Sequence, residues 1–164
     1  MVITELADHP AVVQSVYLSA CWPEAGDSLV SLLGGGPPPD WQDLRDDGSI
    51  AVTDDVPRAA QALFGDLEPG AAAAAHGRLV LQGLPSFLAG STGTPHAHPT
   101  TCVHCTRDQA IPLAAQRGMA ARAGTTASLE SDHCPQLSHP AALTEVLAAA
   151  LAERTPPKVA SGSA

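Results

Sequence analysis

Two residues in this sequence have the types and spacing for acid–base chemistry: Asp108 in Thr106-Arg107-Asp108, and His133 in Ser131-Asp132-His133-Cys134-Pro135. A short β-favouring run, Thr125 to Leu129, ends in a polar turn that delivers His133, and a helix is expected to start behind the proline that follows. A histidine just past a strand end is held by rigid backbone yet exposed at the edge of a sheet, which suits a general base. Asp108 follows a second β-favouring run, Thr100 to His104. A carboxylate there orients an imidazole and stabilises its cation, while the imidazole deprotonates a nucleophile. Acid and then histidine, after successive strands, are two members of a Ser–His–Asp triad.

In the arrangement whose chain order is nucleophile, acid, histidine, the third member should lie upstream of Asp108, in a Gly-x-Ser-x-Gly elbow between a strand and a helix. No such motif occurs. Gly90-Ser91-Thr92-Gly93 has the wrong spacing, and Ser15 sits within a β-favouring run with no flanking glycine.

The elements that must position the pair follow from pattern. Met1 to Asp8 reads as a helix already under way, closed by Pro10. Ala11 to Ala20 is apolar and β-branched, as in a buried parallel strand, and Trp22 follows its C-terminal end. Gly34-Gly35-Gly36-Pro37-Pro38-Pro39 breaks the chain as a linker. It is no phosphate loop, since no Lys-Ser/Thr follows. Trp41 to Asp55 is polar and irregular, with a hairpin signal at Asp47-Gly48. Helices are expected over Pro57 to Phe64 and Pro69 to Leu84, the latter with Gly77 as a weak point. Ile111 to Ala123 and Pro140 to Arg154 are the remaining helices. Strands alternating with helices imply an α/β fold with a parallel sheet, whose chemistry sits off the C-terminal strand ends.

Composition bounds the class. The chain has 164 residues, enough for one domain with a core. A net charge of −9 argues against nucleic acid and anionic membrane surfaces. No apolar run approaches the ~20 residues of a membrane span, and the N-terminus lacks a signal-peptide pattern. A cytoplasmic location is therefore expected, and four cysteines fit a reducing compartment. Cys102-Val103-His104-Cys105 invites a zinc reading, but strand alternation sends the two thiols to opposite faces and no second pair matches. No metal is expected. His96 and His98 read as solvated loop residues, and His76 as a helix surface or cap residue.

Thr106 to Pro112, Gln116-Arg117-Gly118-Met119 and Asp132 to Pro140 together resemble the C-terminal half of small α/β-hydrolases. The branch is that of bacterial carboxylesterases, related to plant methyl esterases and hydroxynitrile lyases. Val16 to Ala20 and Pro23 to Ser28 resemble that family's sixth strand and the loop after it. The resemblance implies a sheet of the α/β-hydrolase type, with only its C-terminal strands and a helical cap present. It divides the chain into 1–23, the end of the nucleophile helix and the sixth strand; 24–96, a mostly helical cap; 97–154, the core bearing Asp108 and His133; and 155–164, a disordered tail.

It further implies hydrolysis of small-molecule carboxylic esters with no cofactor, a nucleophile missing from this chain, and Trp22 either lining the substrate cleft or packing under the cap. Missing strands would leave an open edge for self-association. The expectation is thus a mis-called start or a truncated product, inactive by itself. The alternatives are a non-catalytic half-domain or binding module, and a hydroxynitrile-lyase-type enzyme. A lysine near the site would favour the lyase, and the one lysine, Lys158, is in the tail.

Overall fold

The computed structural model describes residues 2–152. The expected tail, Thr155 to Ala164, lies outside them. The core is a three-stranded parallel sheet of β1 (Ser15–Leu18), β5 (Thr100–Cys105) and β6 (Thr125–Leu129), in the order β1-β5-β6. Central β5 is buried along its whole length, while β6 alternates as an edge strand does. The register runs from Thr101 opposite Thr125 to Cys105 opposite Leu129, so the two strands end together. That shared end carries the acid and histidine loops.

Each face of the sheet is covered. On one, Tyr17, Trp22 and Cys102 pack with Ala120 of α5 (Leu113–Ala120), joined by Ile3 from the N-terminal turn. On the other, Val103 and Leu129 pack with Leu143 of α7 (Pro140–Ala152). The N-terminal turn is a 3-10 helix, Val2–Leu6, rather than the eight-residue helix expected. β1 is likewise shorter than the apolar run Ala11 to Ala20, of which Val13 is half exposed.

Between β1 and β5 the chain makes α1 (Leu29–Leu32), β2 (Gln42–Leu44), β3 (Ser49–Val52), α2 (Val56–Leu63), α3 (Pro69–His76), β4 (Gln82–Gly83) and α4 (Leu84–Leu88). Besides the helices of this segment, β2, β3 and β4 form an antiparallel sheet of their own, which the sequence pattern does not predict beyond its turn. The hairpin turns at Gly48, whose φ of 77° suits glycine, and Asp47 accepts the Ser49 amide. α2 starts on an Asp55 cap with Pro57 in its first turn. α3 stops at Gly77 instead of running to Leu84. His76 closes that helix by meeting the Thr53 carbonyl at 2.9 Å.

Candidate active site

The acid loop is built largely from its own neighbours. Asp108 is buried, and its Oδ1 accepts the backbone amides of Ala110 at 2.7 Å and Ile111 at 2.9 Å. Its Oδ2 accepts Gln116 Nε2 at 3.1 Å and the Ser19 hydroxyl. Gln116 is buried too, and clamps the end of β5 by bonding both the N–H and the C=O of Cys105. Burial alone would raise the Asp108 carboxyl. The hydrogen bonds from His133, Ser19 and the Ile111 amide outweigh it and hold the group below the usual carboxylate range.

The histidine loop brings the second partner. His133 Nδ1 lies 3.0 Å from Asp108 Oδ2, so the structure brings the two predicted residues into contact. A carboxylate kept ionised accepts only, so Nδ1 carries the proton and Nε2 presents its lone pair. No described residue bonds to Nε2. That tautomer is the one a general base needs.

Ser19 was not foreseen. It stands just beyond β1 with φ at 40°, a left-handed conformation unusual for serine. Its hydroxyl donates to Asp108 Oδ2 and lies 3.2 Å from His133 Nδ1. It therefore shares the acid's side of the imidazole, away from Nε2. A serine there can steady the pair but cannot be deprotonated by Nε2. The only sequence signal is its position just past a strand end, as for Asp108 and His133.

Trp22 is not brought to this pair. Its buried indole stacks on Tyr17 at 4.4 Å, meets His96 edge-on at 5.3 Å, and lies under the Arg122 guanidinium at 5.0 Å. The hollow it lines, about 280 Å³, contains neither Asp108 nor His133. His96 and His98 belong to this cluster instead of being solvated. His96 Nε2 meets the Tyr17 hydroxyl at 3.2 Å, and burial pushes its imidazole down. His98 Nε2 meets the Ser15 hydroxyl at 2.8 Å. Ser91, in the misspaced glycine motif, gives its hydroxyl to Glu5 at 2.5 Å.

A larger hollow, about 440 Å³, likewise without Asp108 or His133 in its wall, adjoins the histidine loop at Cys134 and is lined by Phe64, Leu67, Ala75, Leu79 and Leu137 among others. Phe64 and Phe87 are buried in the inserted segment. The four cysteines are free, and burial pushes the Cys134 thiol up to about 11. Among the described residues, no group of three or more His, Cys, Asp or Glu is arranged to hold a metal. No helix among them is long and apolar enough to cross a membrane.

A parallel sheet with an acid and a histidine meeting beyond its strand ends defines a hydrolase class, and the sequence agrees. The chain belongs to the alpha/beta hydrolase family, whose sequence model matches residues 1–146. A pyrethroid hydrolase from Sphingobium faniae JZ-2 superposes with a TM-score of 0.73 at 21% identity, covering 92% of this chain and 66% of that one. Polyneuridine aldehyde esterase gives 0.69 at 15%, covering 92% and 65%. A methylesterase from Arabidopsis gives 0.70 at 15%, covering 92% and 64%. At such identities the likeness is one of fold. The chain spans about two thirds of the length of these hydrolases. No curated protein matches the chain.

Proposed function

We propose that this chain supplies the acid and the base of a Ser–His–Asp esterase. His133 is the general base, Asp108 holds its tautomer and steadies the imidazolium, and the substrate is a small carboxylic ester. The observation that carries this reading is the 3.0 Å contact between His133 Nδ1 and a buried, ionised Asp108. Residues 24–96 act as the cap, and the apolar hollow beside Cys134 takes an apolar group of the ester. Trp22 serves packing, with Tyr17 and Arg122, rather than the substrate.

Ser19 faces the wrong imidazole nitrogen, and no elbow motif occurs, so the nucleophile comes from residues outside this sequence. In the cycle, His133 Nε2 takes that serine's proton as its oxygen attacks the ester carbonyl, then returns it to the leaving alcohol. Free thiols and the net charge of −9 support a cytoplasmic protein that avoids nucleic acid and anionic membranes. Among the described residues β1 pairs on one side only, so the 164-residue chain self-associates through that edge.

The test is p-nitrophenyl acetate turnover by the chain extended through any in-frame upstream coding sequence. Extended protein should hydrolyse it, and His133→Ala should lower kcat by roughly 10⁴-fold or more. The 164-residue chain alone should not. Turnover indifferent to His133→Ala would overturn the reading.

A further inference from the structure

We propose that Asp66, on the inserted segment, is a positioning residue for His133. The proposal rests on His133 being the base. Asp66 lies in the turn between α2 and α3, far from the sheet in sequence. Its N–H donates to Asp132 Oδ2 at 3.0 Å, and its own Oδ2 accepts the Asp132 N–H at 2.7 Å. Two aspartates 66 residues apart thus bond each other's backbone through their side chains. Asp132 is the residue before His133, and it is buried.

The same carboxylates gather the rest of the loop. Asp132 Oδ1 accepts the Cys134 amide at 3.0 Å and the Ser138 hydroxyl at 3.1 Å. Arg107 forks onto both Asp66 oxygens, at 3.2 and 3.0 Å, and its Nη1 reaches Glu130 at 2.8 Å. The Arg107 N–H donates to the Ser131 carbonyl at 2.9 Å. His139 Nδ1 stands 3.7 Å from Asp66 Oδ2. Residues on both sides of His133 are therefore tied, directly or through one partner, to Asp66. None of these bonds belongs to the β5–β6 ladder, which is complete without them. Removing Asp66 should leave the sheet standing and release the loop that aims the imidazole at Asp108.

Burial would raise the Asp66 carboxyl, but Arg107 and the Asp132 amide hold it low, so it accepts from both as an ionised group. Asp66→Asn keeps the shape but cannot accept on both side-chain atoms, so the Arg107 fork or the Asp132 amide loses its partner.

The ring N–H signals of the ¹⁵N-labelled 164-residue chain test this, with His133→Gln identifying which signal is His133's. In the parent chain a protected Nδ1–H signal is expected. Asp66→Asn should abolish it through exchange with water, while His96 and His98 signals and the far-ultraviolet circular dichroism stay unchanged. An unchanged His133 signal in folded Asp66→Asn overturns the proposal. If that variant does not fold, Arg107→Gln decides. Arg107 is exposed, and its loss keeps the Asp66–Asp132 pair but removes the fork. A weakened His133 signal there supports the proposal, and an unaltered one overturns it. Asp108→Asn in the parent background tests the underlying reading separately. A His133 ring indifferent to that change means that the acid–base pair itself is wrong, whatever Asp66 does.

Discussion

The acid loop and the histidine loop meet at one contact but are held in opposite ways. Besides His133, Asp108 takes its bonds from Ala110, Ile111 and Gln116, all within eight residues, and from one distant donor, Ser19. The histidine loop depends on Asp66, across 66 residues and from another segment. The first loop is rigid because a short sequence can satisfy its own carboxylate. The second is as rigid as the inserted segment allows. On the proposed reading, the acid is fixed by its own loop and the inserted segment bears on the base.

The largest effect that would break this comparison is on stability. Asp108→Ala leaves five donors without their acceptor in a buried site. It should cost more than about 3 kcal/mol in urea unfolding, since each buried orphan costs ~1–3 kcal/mol before water compensates. Gln116→Leu comes next. It strips the Cys105 backbone groups and Asp108 of partners but fills much the same volume, so a loss of about 2 kcal/mol is expected in the same measurement. If both variants unfold at the parent midpoint, the acid loop is not the rigid half.

This contrast also explains what was legible in the sequence. Asp108 and His133 stand out because each follows a β-favouring run, and parallel strands that end together bring such residues side by side. The parallel sheet was readable for the same reason, from β-branched runs alternating with helical ones. The antiparallel sheet of residues 42–83 was not, beyond its turn at Gly48. Strands of two to four residues carry too little periodicity, and β4 pairs with β3 across a pair of helices. Ser19 and Asp66 were illegible because their partners are 89 and 66 residues away. Trp22 follows a strand end, a position that leaves both a cleft-lining and a packing role open; in the fold the chain turns at Ser19 and the indole stacks on Tyr17.

A smaller loss should accompany acidification. Asp108 and Asp66 both have folded carboxyls held below their ordinary value. Their contribution is complete above the unfolded value of about 3.9 and is lost as pH falls through the lower folded values. Buried His104 and half-buried His96 are pushed down by desolvation, so their contribution fades earlier, as pH falls below about 6.5. Unfolding free energy should thus drop in two stages between neutral and strongly acid pH. Asp66→Asn should shrink the second stage only, and His104→Gln the first only. A single stage, unaltered by Asp66→Asn, would mean that the histidine loop draws nothing from the charge of Asp66.

The smallest stability effect belongs to His133 itself, and it separates the two loops most sharply. The imidazole is a quarter exposed, whereas the Asp108 carboxylate is fully enclosed. His133→Gln removes one of the five donors to Asp108 and leaves the other four in position. The loop's anchors at Asp132 and Asp66 do not pass through the ring. The bond given up is to an ionised acceptor, so the expected cost is about 1.5 kcal/mol, well below that of Asp108→Ala. On the proposed reading, the buried carboxylate and the two-aspartate anchor aim a ring whose own loss costs less than theirs. A cost for His133→Gln equal to that of Asp108→Ala would reverse the conclusion, making the contact a structural ion pair that the fold needs in order to close.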